Sequence, residues 1–193
     1  MIPLSIPQWT SQGVLPPVNS VAPTAADRSP YPVTLTDLVL RYATSQARNR
    51  ILRGFLEFRA ALHSARLDKG FQWVDGSFLE DVQMIEGREP RDVDVVTFFH
   101  LPDGQTQEDL VRNSPRLFNP VDTKADYRVD AYFVQLNGNA PEPLVGQSAY
   151  WYSLWSHRRN GQWKGYLQIE LSSANDQVAQ ANLEKMTSQG GQP

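Results

Sequence analysis

Two short motifs in this sequence have residue types and spacings suited to phosphate or metal chemistry. Gly76 and Ser77 follow an apolar stretch that ends at Asp75, and Asp92 and Asp94 begin the next one. A glycine-containing turn allows the close approach of a phosphate group. Because side chains along a strand alternate between its two faces, Asp92 and Asp94 point the same way and can share one Mg²⁺ ion or bracket two. The alternative is a pair of solvated carboxylates at the mouth of a strand.

A third carboxylate, Asp130, lies inside a later apolar stretch, residues 127–134. A carboxylate within such a strand is costly to bury unless a cation or a base accompanies it. A salt bridge to Arg128, two residues away, is the structural explanation. A metal site shared with Asp92 and Asp94 is the functional one.

The charge of the chain changes sign around these motifs. Residues 75–94 hold seven acidic and two basic residues, a local charge of −5, whereas residues 41–69 hold seven basic and two acidic residues, a local charge of +5. The acidic run favours a bound cation. The basic run could guide an anionic substrate, a nucleic acid or an acidic partner, or it could be a solvated helix face.

Composition argues against several other kinds of site. The 193 residues include no cysteine and three histidines, which disfavours a disulfide framework, a thiolate metal centre and an all-protein zinc site. A composition that is 40% hydrophobic and 20% charged, with a net charge of −3, suits a single folded domain. The sequence contains no apolar run near the roughly 20 residues that span a bilayer. The first residues do not resemble a signal peptide, so we expect a cytoplasmic protein without a membrane partner.

Hydrophobic periodicity predicts an α+β or α/β protein with two layers, in which helices and strands are interspersed. Helices are predicted over residues 34–44, 46–67, 105–113, 146–157 and 175–186. Strands are predicted over residues 71–76, 92–99, 127–134 and 163–171. Gly76 and Ser77 are expected to open a further helix. The result is a sheet of about four strands packed by helices.

The first 33 residues differ from the rest because they hold seven of the 14 prolines. Prolines disfavour a long helix or a central strand. We therefore expect an extended arm over residues 1–33, a domain over 34–187 and a frayed tail over 188–193. The apolar side chains of the arm could pack across its own domain, the simpler arrangement, or across a partner; they are Ile2, Leu4, Ile6, Trp9, Val14 and Leu15.

A glycine–serine pair after one strand, Asp-x-Asp on the next and a further aspartate on a later strand resembles the nucleotidyltransferase superfamily, which has the polymerase-β-like fold. The residues that carry the resemblance are Gly76, Ser77, Asp92, Asp94 and Asp130. Further stretches are similar to a bacterial family of unknown function placed in that superfamily: residues 13–17, 73–78, 92–96, 150–151, 157–158 and 164–165. One departure is that minimal nucleotidyltransferase antitoxins carry an arginine soon after the serine, where this chain has Phe78-Leu-Glu-Asp81.

The resemblance implies a mixed nucleotidyltransferase-like sheet and a role for each matching residue. Gly76 and Ser77 would hold the β- and γ-phosphates of a nucleoside triphosphate such as ATP. Asp92, Asp94 and Asp130 would bind Mg²⁺ or Mn²⁺, and Asp130 could help to activate the acceptor. The implied reaction is transfer of a nucleoside monophosphate to an unknown protein or RNA, in a toxin–antitoxin or phage-defence setting.

Two other features bear on the site. Lys164, beside Gly165 at the start of the last predicted strand, is a candidate base for neutralising phosphate, and the alternative is an ordinary exposed lysine. The aromatic segment 150–163 could stack on a nucleobase, or it could form core or a helix that faces a protein partner.

Two rival functions use the same residues. One is a non-catalytic binding protein or antitoxin that keeps the nucleotidyltransferase fold. The other is a sugar-nucleotide glycosyltransferase, which also uses Asp-x-Asp with a metal ion. The Gly-Ser pair before Asp-x-Asp favours nucleotidyl transfer, and the short chain disfavours a glycosyltransferase.

Overall fold

One open five-stranded sheet organises the chain in the computed structural model, which describes residues 5–138 and 140–189. Its strands are β1 Tyr31–Val33, β2 Gly70–Asp75, β3 Val93–Phe99, β4 Val129–Gln135 and β5 Leu167–Glu170. They lie in the order β1-β5-β2-β3-β4. β1 is parallel to β5 and β3 is parallel to β4, whereas β2 is antiparallel to both of its neighbours. The predicted α+β class is therefore confirmed, and the sheet is mixed.

Seven α-helices within the described residues surround the sheet. They are α1 Leu35–Tyr42, α2 Gln46–Ser64, α3 Val82–Glu86, α4 Gln107–Asn113, α5 Pro120–Tyr127, α6 Pro141–Trp155 and α7 Asp176–Gln189. Arg59 of α2 bonds to Gln72 of β2. The next residue, Trp73, points to the opposite face together with Tyr132, whose ring lies 4.8 Å from that of Trp151 on α6. α2 and α6 therefore cover opposite faces, so the predicted two-layer arrangement is wrong: helices pack on both sides of the sheet. No helix in the described part of the chain combines the length and hydrophobicity needed to cross a lipid bilayer.

The first two helices start where the sequence predicts, but some helices end elsewhere than predicted. Thr34 and Ser45 cap α1 and α2 by accepting a backbone N–H of the first turn. α2 ends at Ser64, earlier than predicted, and Arg66 just beyond adopts a left-handed conformation with φ of 64°. α7 continues to Gln189, past the predicted start of the frayed tail.

The structure differs from the sequence predictions at three places. β1 lies within the predicted arm, and its Pro32 is tolerated because an edge strand needs backbone donors on one side only. The sheet therefore has five strands and not about four. α5 was not predicted; it is capped by Asn119 and has Pro120 in its first turn. Gly76 and Ser77 open a single 3-10 turn, Ser77–Leu79, and not an α-helix.

The segment before β1, residues 5–30, contains no helix or strand and lies across the body of its own chain. The indole N–H of Trp9 donates to the Leu79 carbonyl at 2.6 Å, and Val14 and Leu15 are buried. These contacts bury apolar surface within the chain. The predicted arm residues Ile2 and Leu4 and the tail residues 190–193 lie outside the described residues.

Two contacts of α2 fix the elements around it. A Cβ atom on Gly54 would lie 2.0 Å from the carbonyl oxygen of Tyr127, so the backbone of α2 rests directly on the end of α5. The buried guanidinium of Arg59 bonds to Asp176 of α7 at 2.8 Å and to Gln72 of β2 at 2.6 Å. Both α5 and α7 therefore pack against α2, the helix that covers one face of the sheet.

Candidate active site

The strand register brings three aspartates into one row. Asp75 on β2 pairs with Asp94 on β3, and Asp94 pairs with Asp130 on β4. Directly opposed residues on strands about 4.8 Å apart point to the same face of a sheet. Asp92 precedes Asp94 by two positions and belongs to the same face. The three predicted carboxylates therefore meet, and Asp75, for which no motif predicted a role in the site, joins them.

The turn at Gly76 closes over this row. Gly76 has φ of +91°, and a Cβ atom there would lie 2.3 Å from an Asp94 carboxylate oxygen. Only glycine fits that position, because a side chain would be strained and would collide with Asp94. Its backbone N–H donates to Asp75. The predicted Gly76–Ser77 pair thus reaches the carboxylates, but it offers the amides of a short turn and no α-helix dipole.

A lysine that belongs to none of the sequence motifs bridges two of the predicted carboxylates. The ammonium of Lys124 on α5 lies 2.8 Å from an Asp92 oxygen and 3.3 Å from an Asp130 oxygen. The alternative of a salt bridge between Asp130 and Arg128 is wrong, since Lys124 is the partner of Asp130. Arg128 caps the C-terminus of α5 in a left-handed conformation, outside the strand.

Lys164 is neither an exposed lysine nor a free phosphate ligand. It is 5% exposed, and its ammonium lies 2.8 Å from Asp75 and 3.1 Å from Glu80. Glu80 in turn accepts from Arg158 at 3.1 Å. The structure therefore makes Lys164 the counter-ion of two buried carboxylates. Burial alone would lower the pKa of Lys164, but Asp75 and Glu80 raise it above its usual value.

Two of the carboxylates have perturbed acidity. Burial raises the pKa of Asp94 to about 6, and the charges of Asp92 and Asp130 add to the effect. The carboxylate of Asp94 forms no hydrogen bond or ion pair within residues 5–138 and 140–189. Burial also raises the pKa of Asp75, to about 7, although Lys164 opposes the shift. Such perturbed carboxylates are typical of functional sites.

These residues form the floor of an open pocket of about 900 Å³. Six acidic residues line it: Asp75, Glu80, Glu86, Asp92, Asp94 and Asp130. Six basic residues also line it: Arg88, Arg91, Lys124, Arg158, Arg159 and Lys164. The acidic excess counted along residues 75–94 is therefore balanced by bases that come from later parts of the chain. The pocket has a negative floor with Lys124 and Lys164 inserted in it.

Aromatic residues of the segment 150–163 form one wall of the pocket. Trp151 and Trp155 of α6 are buried against each other with ring centroids 5.4 Å apart. Tyr150 on the same helix is 58% exposed. Trp163 is exposed and does not line the pocket, but its ring packs edge-on against that of His157, which does, with centroids 4.7 Å apart. The segment thus serves as core on one side and presents open aromatic surface on the other.

The carboxylates suit a divalent cation in chemistry, and a cation already lies between two of them. No group of three or more His, Cys, Asp or Glu side chains in the described residues forms a ready-made metal site. Carboxylate oxygens are nonetheless the ligands that Mg²⁺ prefers. The ammonium of Lys124 contacts Asp92 and Asp130 together, so one cation can be shared by these two groups. The donor set therefore fits Mg²⁺ if Lys124 moves aside.

Comparison with known proteins gives a family but no function. Neither the curated proteins nor the solved structures contain a match to this chain. Residues 7–170, which include every aspartate of the site, match a family described as a family of unknown function (DUF6932). The chain belongs to this family, DUF6932.

Proposed function

We propose that this protein is a Mg²⁺-dependent nucleotidyltransferase with a nucleotidyltransferase-like sheet. It would transfer a nucleoside monophosphate from a nucleoside triphosphate to a hydroxyl group of a protein or RNA. The observation that carries the proposal is the convergence of Asp92, Asp94 and Asp130 on one sheet face, beside the Gly76–Ser77 turn. Carboxylate oxygens are ligands of Mg²⁺, and bound metal ions stabilise the attacking and leaving oxygens of a phosphoryl displacement.

The pocket supports a nucleotide as the ligand. Its volume of about 900 Å³ lies within the range of small-molecule sites. Arg91 and Arg159 line it and form no ion pair within the described residues, so their guanidinium groups are available to phosphate oxygens. The aromatic wall of α6, with Tyr150 at its open edge, can stack on a nucleobase.

The chain's own residues have distinct parts in the proposed reaction. The amides of the Gly76 turn and the Ser77 hydroxyl hold the β- and γ-phosphates. The acceptor oxygen attacks the α-phosphorus as the bond from that phosphorus to its β-bridging oxygen breaks, and pyrophosphate leaves with the bonding electrons. The hydroxyl proton passes to a site carboxylate, for which Asp130 is the candidate. When bound, Mg²⁺ supplies charge stabilisation at the attacking and leaving oxygens.

Metal binding tests the first half of this proposal. Calorimetry with Mn²⁺ and with Mg²⁺ should show binding that D92N, D94N and D130N each weaken by at least about tenfold, as loss of a metal ligand requires. Asp103 is the matched control because it lies in a separate pocket beyond the far end of β3. D103N should bind the metal as the wild type does. Unchanged binding in all three site variants would refute the proposed ligands.

Nucleotide transfer tests the second half. The protein is incubated with each α-phosphate-labelled nucleoside triphosphate, Mg²⁺ and cell lysate, and a labelled protein or RNA is expected. D94N should abolish the label. A parallel reaction uses nucleotide sugars that are labelled in the sugar attached to the diphosphate. Only a glycosyltransferase would transfer that sugar, so this reaction separates the two functions. The proposal places the reaction in the cytoplasm, in a toxin–antitoxin or phage-defence setting.

A non-catalytic binding protein is the second candidate, and one observation favours it. Lys124 and Lys164 already form ion pairs with Asp92, Asp130 and Asp75, so each of these three acids has a cationic partner without any metal. The exposed aromatic surface around Tyr150 would then contact a protein partner. In that case the protein would bind neither Mn²⁺ nor nucleotide, and substitutions on the aromatic surface, not at Asp94, would abolish its association.

A further inference from the structure

The ammonium of Lys124 bridges two carboxylates that the proposed function assigns to Mg²⁺. We infer that Lys124 is a resident cation of this site: it occupies the metal position in the metal-free protein and exchanges with the divalent ion when the site is loaded. This inference rests on the proposed function, because it takes Asp92 and Asp130 as metal ligands. It adds a residue that no motif indicated.

The helix that carries Lys124 is fixed, whereas its side chain can move. Gly54 of α2 packs directly on the Tyr127 carbonyl at the end of α5, and Asn119 caps the start of α5. The Lys124 side chain is 50% exposed, although Asp92 and Asp130 are each 23% exposed. A long, half-exposed lysine can leave two carboxylates without any shift of the backbone.

The charges explain why the site needs a cation and why a lysine does not satisfy it fully. Asp92, Asp94 and Asp130 share one face, and carboxylates this close repel one another. Lys124 brings a single positive charge and contacts only two of them, which leaves Asp94 without an ion pair in the described residues. A divalent ion carries twice the charge and takes six oxygen ligands, so it can serve all three.

Amine footprinting tests the exchange directly. An amine-acetylating reagent is applied to the full protein with EDTA or with saturating Mg²⁺, and modification of each lysine is quantified by mass spectrometry. Modification of Lys124 should rise at least threefold with Mg²⁺, because its amine leaves the carboxylates for solvent. The exposed Lys185 on α7 is the internal reference and should not change. The buried Lys164 should stay protected in both conditions.

Metal affinity gives the independent readout. K124M removes the competing cation and should raise the calorimetric affinity for Mn²⁺ about tenfold, whereas K124R, which keeps it, should behave as the wild type. R91M is the matched control, since it removes the same charge beside Asp92 from a residue with no ion pair in the described chain. Its affinity should change less than threefold. Equal gains in K124M and R91M would overturn the inference in favour of a general charge effect.

The outcomes separate this inference from the proposed function. If the wild type binds Mn²⁺ in an Asp94-dependent way but Lys124 reactivity and the affinity of K124M are unchanged, the resident cation is refuted and the metal site stands. If neither the wild type nor K124M binds Mn²⁺, both are refuted. Circular dichroism in EDTA verifies that K124M is folded before any comparison is made.

Discussion

Replacing Asp94 by asparagine should make the metal-free protein more stable. Asp94 is the one carboxylate of the row whose charge has no direct partner in the described residues, and it lies between Asp75 and Asp130. Burial and the negative charges of Asp92 and Asp130 act against its ionised form. D94N removes the charge and keeps the shape of the side chain, so it relieves the repulsion with little change in packing.

The size of the effect follows from the acidity of the group. The pKa of Asp94 rises from 3.8 to about 6, and at 1.36 kcal/mol per pKa unit the ionised form costs about 3 kcal/mol near neutral pH. Asparagine still buries a polar amide, so the net gain should be about 1–3 kcal/mol. For a chain of this length each kcal/mol raises Tm by about 2–4 °C.

The stabilisation by D94N should depend on pH. A carboxyl whose pKa is raised on folding binds a proton more readily in the native state, so its penalty is absent below pH 3.8 and complete above about pH 6. The advantage of D94N should therefore be largest at pH 7.5 and about half as large at pH 5. Urea denaturation in EDTA at both values measures it. Adding Mg²⁺ should narrow the difference, since the wild type binds the ion more tightly than D94N and gains more stability from it.

D92N is the control for this prediction. Asp92 has the Lys124 ammonium at 2.8 Å, so removing its charge also removes an ion pair and should give no gain in stability. A D94N protein less stable than the wild type in EDTA, or equal gains in D92N and D94N, would show that repulsion within the row does not govern the site.

Three further substitutions test other contacts. K164M should lower the free energy of unfolding by about 3–5 kcal/mol in urea titrations, because Asp75 and Glu80 would stay buried without their cation. Adding D75N to K164M should restore part of this stability. A loss below about 1 kcal/mol in K164M would mean that water replaces the lysine. G54A should lower the melting temperature, although alanine favours a helix by about 1 kcal/mol, because its Cβ would meet the Tyr127 carbonyl; a rise would contradict the close packing. W9A should lower the free energy of unfolding by about 2 kcal/mol and therefore the melting temperature. An unchanged melting temperature would mean that the N-terminal segment does not stabilise the domain.

The row of carboxylates could be predicted from the sequence because strand periodicity determines it. Asp94 and Asp130 are each the second residue of a seven-residue strand, and those strands pair in register. Alternation then places both on one face together with Asp92. The adjacency of the two strands came from the resemblance to nucleotidyltransferases, since periodicity alone does not order strands in a sheet.

The counter-ions could not be predicted, because tertiary packing chooses them. Lys124 comes from α5, a short helix whose start is set by Asn119 and Pro120 and whose apolar pattern is weak. Lys164 reaches Asp75 from 89 positions away along the chain. A charge count over neighbouring residues contains neither of these lysines, so it suggested an acidic excess that the folded pocket does not have.

The buried Arg59 shows that the part of the chain that folds is longer than the part that defines the family. The family match ends at residue 170, whereas the carboxylate that neutralises Arg59 is Asp176, in the first turn of α7. Ala179 and Leu183 of α7 are also buried in the core. A fragment trimmed to the matched residues would keep every aspartate of the site and still enclose an uncompensated guanidinium. Anyone who transplants or shortens this domain should therefore treat α7 as part of it.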